Sequence, residues 1–216
     1  MRRIAAAGIV WCVLLALPCP SRADDYERWF EVGASFPLDA RADVSIASET
    51  KFRAGAARSY LDNIGALVLY RPAAWLEFGP SYLYERNESP SGITTFENRY
   101  SLEAAMKATL EPARLALRQR VSYRDVSGEA SWRYRIRGQI AAAPWGAWKA
   151  APFASEEMFY ESASGEFNQS RLMAGAAVEP VKGFVARLYW MALHRRGADG
   201  GWRPVNVAGV GAGARF

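Results

Sequence analysis

Arginines and glutamates at even spacings are the residues of this chain best suited to chemistry. From Ala113 to Val126 the sequence reads ARLALRQRVSYRDV, and after Ser127-Gly128 it continues EASWRYRIRGQIAA to Ala142. In the first half Arg114, Arg118, Arg120 and Arg124 alternate with Leu115, Leu117, Val121 and Tyr123. In the second, Arg133, Arg135, Arg137 and Gln139 alternate with Trp132, Tyr134, Ile136 and Ile140. A guanidinium stays charged and offers a planar fork of donors that matches a carboxylate through two bonds at once. Such a row can pair with glutamates of its own chain or hold an anion.

Either use needs a scaffold that gathers alternate residues on one face. A β-strand does so, because successive side chains point to opposite sides. The same alternation recurs along the chain. It predicts strands at Arg28–Phe36, Ala42–Phe52, Leu61–Tyr70, Trp75–Arg86, Phe96–Ala108, the two halves of the arginine hairpin, Phe153–Glu161, Phe167–Val178, Gly183–His194 and Val205–Phe216. Most are longer than the roughly 5–6 residues of globular strands and match the roughly 9–11 needed to cross a bilayer. Helical spacing is absent. No apolar run after the N-terminus is long enough for a membrane helix, so a membrane-embedded chain must close into a barrel. The expected fold is all-β: an antiparallel transmembrane β-barrel of about 10–12 strands with a polar, charged lumen.

Three patterns agree with a barrel in an outer membrane. Short turns at Pro37–Asp39, Arg71–Ala73, Glu111-Pro112 and Glu179-Pro180 alternate with longer polar loops at Ala54–Ser59, Asn87–Thr94, Asp125–Glu129, Ser162–Glu166 and Arg195–Gly201. Trp29, Trp75, Tyr84, Trp132, Tyr160 and Trp190 fall near strand ends, where interfacial aromatic girdles belong. Phe216 ends the chain on the apolar parity, like the assembly signal of outer-membrane barrels, although Ala214 holds a position that is often aromatic. Two details resist. Glu156 and Glu157 are adjacent, so one must face the wrong way or lie beyond the lipid. With an even strand count, 10 or 12, and a periplasmic C-terminus, Arg28–Phe36 runs the wrong way. Either a strand is missed, or this segment lies in the lumen or outside the wall.

In such a barrel Arg114, Arg118, Arg120, Arg124, Arg133, Arg135, Arg137, Arg171 and Arg187 share a lumen with Glu49, Glu77, Glu85, Glu97, Glu103 and Glu157. The first reading is a lumen filled by an Arg/Glu network in which each ion needs its partner, with no activity assigned. The alternative is a narrow anion-preferring channel or small-ligand-binding barrel. The hairpin then forms one wall and the acidic strands Trp75–Arg86 and Phe96–Ala108 the other. A second alternative is a lipid hydrolase at the rim, with His194 as base and Glu161, Ser162 and Ser164 in a loop on the same side. No serine sits in a motif that supports it, so the expectation is not an enzyme. Gly209, Gly211 and Gly213 lack the spacing and following helix of a phosphate loop; they read as small residues facing the lumen.

The N-terminus predicts export. Met1-Arg2-Arg3, an uncharged run from Ile4 to Leu17, and Ser21-Arg22-Ala23 form a secretory signal peptide at 1–23, removed to leave one barrel domain at 24–216. Pro18 is a poor residue before a lipoprotein cut at Cys19. Both cysteines, Cys12 and Cys19, lie in the signal, so the mature chain has no thiol chemistry, and one histidine removes the usual zinc frameworks. No metal or cofactor is expected. Removing the three signal arginines lowers the net charge from +5 to +2, so no nucleic-acid partner is implied. The expected partners are outer-membrane lipid and the outer-membrane assembly machinery.

Several segments in order carry a family resemblance. They are the Trp29-containing first hairpin, FGPSYLYE at Phe78–Glu85, FENRYSLEAAM at Phe96–Met106, LRQRVSYR at Leu117–Arg124 and WRYRIR at Trp132–Arg137. SEEMFYE at Ser155–Glu161 and FNQSRLMAG at Phe167–Gly175 continue the series. Together they resemble the bacterial outer-membrane barrel family known as domain of unknown function 2490, with Ser170 where an asparagine is expected. The resemblance implies an outer-membrane location and no assigned activity or catalytic residues.

Overall fold

The computed structural model describes residues 26–197 and 199–216; the signal peptide expected at 1–23 lies outside them. Among the described residues the eleven strands are β1 (Tyr26–Pro37), β2 (Ala42–Arg53), β3 (Leu61–Ala73), β4 (Leu76–Glu88), β5 (Thr94–Leu110), β6 (Ala113–Val126), β7 (Glu129–Ala142), β8 (Ala151–Glu161), β9 (Glu166–Val181), β10 (Phe184–Arg196) and β11 (Trp202–Arg215). Each is hydrogen-bonded to its sequence neighbours, and β1 pairs with β11 to close the barrel. The arginine hairpin turns at Ser127 and Gly128, both at positive φ (51° and 93°), the geometry that matches the twist of two antiparallel strands. The Asp125 carboxylate accepts from the Gly128 N–H at 2.9 Å and so supports that turn.

The count corrects the expectation of an even number. Neighbours alternate in direction around the wall, so eleven strands leave the first and last running the same way. The β1–β11 pairing is accordingly parallel, with Phe30 beside Val210 and Val32 beside Ala212. The predicted segment Arg28–Phe36 is therefore part of the wall, neither inside the lumen nor outside it. The odd count removes the conflict over its direction. Alternation of loop length breaks twice: residues 143–150 form a long connection at the end otherwise served by short turns, and the expected long loop Asp125–Glu129 is only the two-residue turn Ser127-Gly128.

Polarity is inverted relative to a water-soluble domain. Large apolar side chains of the outer face stand open, among them Val32 at 59% exposure, Leu102 at 69% and Leu172 at 52%. Buried side chains lie inside, and many are ionic: Glu27, Lys51, Glu77, Glu97, Arg99, Glu103, Glu157 and Glu161. The lumen is not polar throughout, however. Beside the seam, Trp29, Tyr189, Met191, Leu193 and Val207 form an apolar cluster against Phe153, Met173 and Val205. Trp29, expected in an outer aromatic girdle, is only 2% exposed and belongs to this inner cluster. Its register partners Lys51 and Gly209 both lie on the inward parity, which carries Trp29 with them. Trp75, Tyr84, Trp132, Tyr160 and Trp190 are exposed as expected.

Candidate functional site: an arginine-lined lumen

The wall from β5 to β9 carries most of the charge. Glu97 accepts from Arg99 Nε at 2.7 Å and from Arg124 through Nε at 2.7 Å and Nη2 at 2.6 Å. Arg124 also donates through Nη1 to Glu161 Oε2 at 2.7 Å, and Arg133 donates to the same oxygen at 2.8 Å. One step deeper, Arg120 lies 2.5 Å from Glu103, and Arg135 donates to Glu157 at 2.8 and 3.1 Å. Charges taken out of water are tolerable only when paired and hydrogen-bonded in this way.

An inward aromatic serves the same wall. Phe159 is 1% exposed, with the guanidinium carbons of Arg171, Arg135 and Arg133 at 4.5, 5.0 and 5.9 Å from its ring centroid. The negative face of the ring helps hold cations that outnumber nearby carboxylates. On the opposite side, Glu27 accepts from Trp29 Nε1 at 2.8 Å, Tyr60 Oη at 2.6 Å and Arg195 at 3.0 Å. Lys51 lies 3.8 Å over the Trp29 ring and 2.9 Å from Glu49.

The network does not fill the bore. A cavity of about 850 Å³ remains, and its lining counts twelve arginines and lysines against five glutamates. Of the residues expected in the lumen, Arg118, Arg120, Arg124, Arg133, Arg135, Arg137, Arg171, Arg187, Glu49, Glu85, Glu103 and Glu157 line it directly. Glu97 sits behind Arg99 and Arg124. Glu77 lies lower, held by Lys107 at 2.5 Å and Arg71 at 3.5 Å. Arg114 stands apart: it is exposed, and its cross-strand neighbours are Thr109 and Ala141.

Several charged members were not among the residues expected in the lumen, Glu31 and Arg53 of the cavity lining among them. Arg99 and Lys51 share the parity of Glu97 and Glu49, which was a readable signal. Glu161 and Arg195 were assigned to loop edges, and Glu27 preceded the expected start of β1. Elsewhere, His194 points outward, between Ser170 of β9 and Pro204 of β11. Glu156 also faces outward, exposed at mid-strand between Gly138 and Leu172, whereas Glu157 faces in. In the β10–β11 loop, the Gly201 N–H, followed by Arg203, holds the Asp199 carboxyl below the usual carboxylate range.

A family model described as "Protein of unknown function (DUF2490)" matches residues 27–203. No curated protein matches the chain. Among solved structures, an anion-selective porin from Comamonas acidovorans matches over 81% of this chain at 14% identity with a TM-score of 0.42. This chain spans 53% of that porin's length.

Proposed function

We propose that this chain, which belongs to the DUF2490 family of proteins of unknown function, is an integral outer-membrane β-barrel whose arginine-lined lumen accepts small anions. The observation that carries the reading is the inverted polarity: apolar side chains on the outside of a closed wall, ion pairs on the inside. In water such an exterior is an apolar patch far larger than monomeric soluble proteins tolerate. In lipid it is the required surface, and closure leaves no strand edge unpaired.

The cationic excess along the cavity supports the anion part, since rings of arginine and lysine favour anions in pores. On this reading the signal at 1–23 directs export, lipid covers the apolar face, and the assembly machinery reads the C-terminus. Phe216 is 72% exposed there, stacked on Phe36 with centroids 5.0 Å apart.

The test has two stages. Purified in detergent, the protein is expected to show heat-modifiable gel mobility and a β-dominated circular dichroism spectrum. Helical content, or solubility without detergent, would sink the membrane reading. Reconstituted in a planar bilayer under a potassium chloride gradient, it is expected to give a reversal potential of anionic sign. Cation-selective current would sink the anion reading.

A further inference from the structure

We infer that Arg118 and Arg137 form a two-armed clamp for an oxyanion, a carboxylate or phosphoryl group gripped through two or more oxygens. The inference rests on the anion-accepting lumen proposed above and adds to it a subsite and a ligand chemistry.

Arg118 and Arg137 are register partners across β6 and β7 on the inward face. Side chains so placed have Cβ atoms about 4.5–5.5 Å apart, and like charges there repel. The neighbouring pair, Arg120 and Arg135, has the same arrangement, but each member has a carboxylate, Glu103 and Glu157 respectively. The clamp pair does not. Arg118 approaches only Glu103, at 3.8 Å, and Arg120 already holds that carboxylate. Arg137 lies opposite Glu157 in register, but Glu157 is taken by Arg135 and approached by Arg171 at 3.5 Å. Arg137 has no ion pair or hydrogen bond among the described residues.

Two more donors stand beside the pair. Gln139 follows Arg137 on the same face, and Ser155 is its register partner on β8. Neither side chain is hydrogen-bonded among the described residues, and both line the main cavity. Arg118, Arg137 and Gln139 also border a second cavity of about 150 Å³, bounded by Glu77 and Lys107. Open donors therefore converge on space large enough for a small group. A planar or tetrahedral oxyanion presents an oxygen to each fork and cancels the repulsion between them. Chloride offers a single centre and no bidentate geometry.

The experiment titrates inorganic phosphate into the purified full chain in detergent, with chloride at matched ionic strength as the control. Binding is read by calorimetry and by the unfolding temperature. Phosphate is expected to raise that temperature in a concentration-dependent way, and chloride is not. Arg137→Gln is expected to weaken phosphate binding about tenfold or more, the loss of one charge-assisted contact. Its ligand-free unfolding temperature stays level or rises, because a like charge has been removed. Arg137→Lys, which keeps the charge and loses the fork, binds phosphate with intermediate affinity and covers the case in which the glutamine variant fails to fold. Equal phosphate affinity in wild type and variants overturns the clamp, as does a wild type that does not distinguish phosphate from chloride. Anion-selective current without phosphate binding rejects the clamp and leaves the lumen reading standing. Phosphate binding that Arg137→Gln abolishes, in a barrel that passes no current, supports the clamp in a closed lumen.

Discussion

Glu97 and Arg124 face each other fork to fork across the β5–β6 ladder, Nε on Oε1 at 2.7 Å and Nη2 on Oε2 at 2.6 Å. Arg99 leans on the same carboxylate, so one glutamate holds two guanidiniums. Removing it leaves Arg124 to Glu161, which Arg133 shares, and Arg99 to Glu85 at 3.7 Å. Glu97→Gln is expected to destabilise the barrel by about 3–5 kcal/mol, the usual cost of breaking a buried pair from one side. Adding Arg124→Gln is expected to recover part of that loss, with a coupling of about 0.5–3 kcal/mol for residues in one network. Urea unfolding of the two single variants and the double variant in detergent measures it, and strict additivity would contradict the fork.

The parallel seam makes a covalent prediction. Val32 and Ala212 are register partners on neighbouring parallel strands, and the described residues contain no cysteine. Adjacent strands lie about 4.8 Å apart, within the Cα range that a disulfide bridges. Val32→Cys with Ala212→Cys is expected to form an intramolecular bridge under mild oxidation, visible as a non-reducing gel shift. Val32→Cys with Val210→Cys, two residues out of register, is not. A bridge in the second pair alone would mean a different closure.

Gly209 is expected to resist even an alanine. It lies opposite Tyr189 in register, and a Cβ there would overlap the tyrosine ring. Gly209→Ala should cost about 1–3 kcal/mol by overpacking. In a Tyr189→Ser background, where the ring is gone, the same alanine should cost less than it does in the wild type, read from the temperature at which gel mobility changes. An equal cost in both backgrounds would place the strain elsewhere.

Glu156 carries a prediction of the opposite sign. Its carboxylate is exposed on the outer face, the sixth of eleven residues in β8, with no side chain from Gly138 beside it. If lipid covers that face, as proposed, Glu156→Leu stabilises the barrel by about 1–2 kcal/mol, since acidic groups near the bilayer midplane are unfavourable. Unfolding in lipid vesicles checks the sign. A loss of stability would instead mean that Glu156 is engaged by another molecule in the membrane.

Much of this architecture is legible in the chain itself. Strand pleat is local, so period-2 spacing assigns a face to each residue without knowledge of its neighbours. Arg118, Arg120, Arg124, Arg133, Arg135 and Arg137 were sorted onto one face in this way, and the positive-φ turn at Ser127-Gly128 set their register across β6 and β7. Parity also shows that Glu49, Glu85, Glu103 and Glu157 share the inner side of their own strands.

Tertiary structure alone decided how the sheet closes and which charges meet. Ladder hydrogen bonds are made by backbone groups common to all residues, so no side-chain pattern announces that β11 returns to β1, parallel, after an odd number of strands. Pairing inside the lumen depends on register accumulated around the wall. It brings Glu161 to Arg124, a contact spanning two strand boundaries. The same accumulation leaves Arg118 and Arg137 facing each other without a carboxylate of their own. Sequence parity determined that the inner face is cationic; closure determined where its charge goes unanswered.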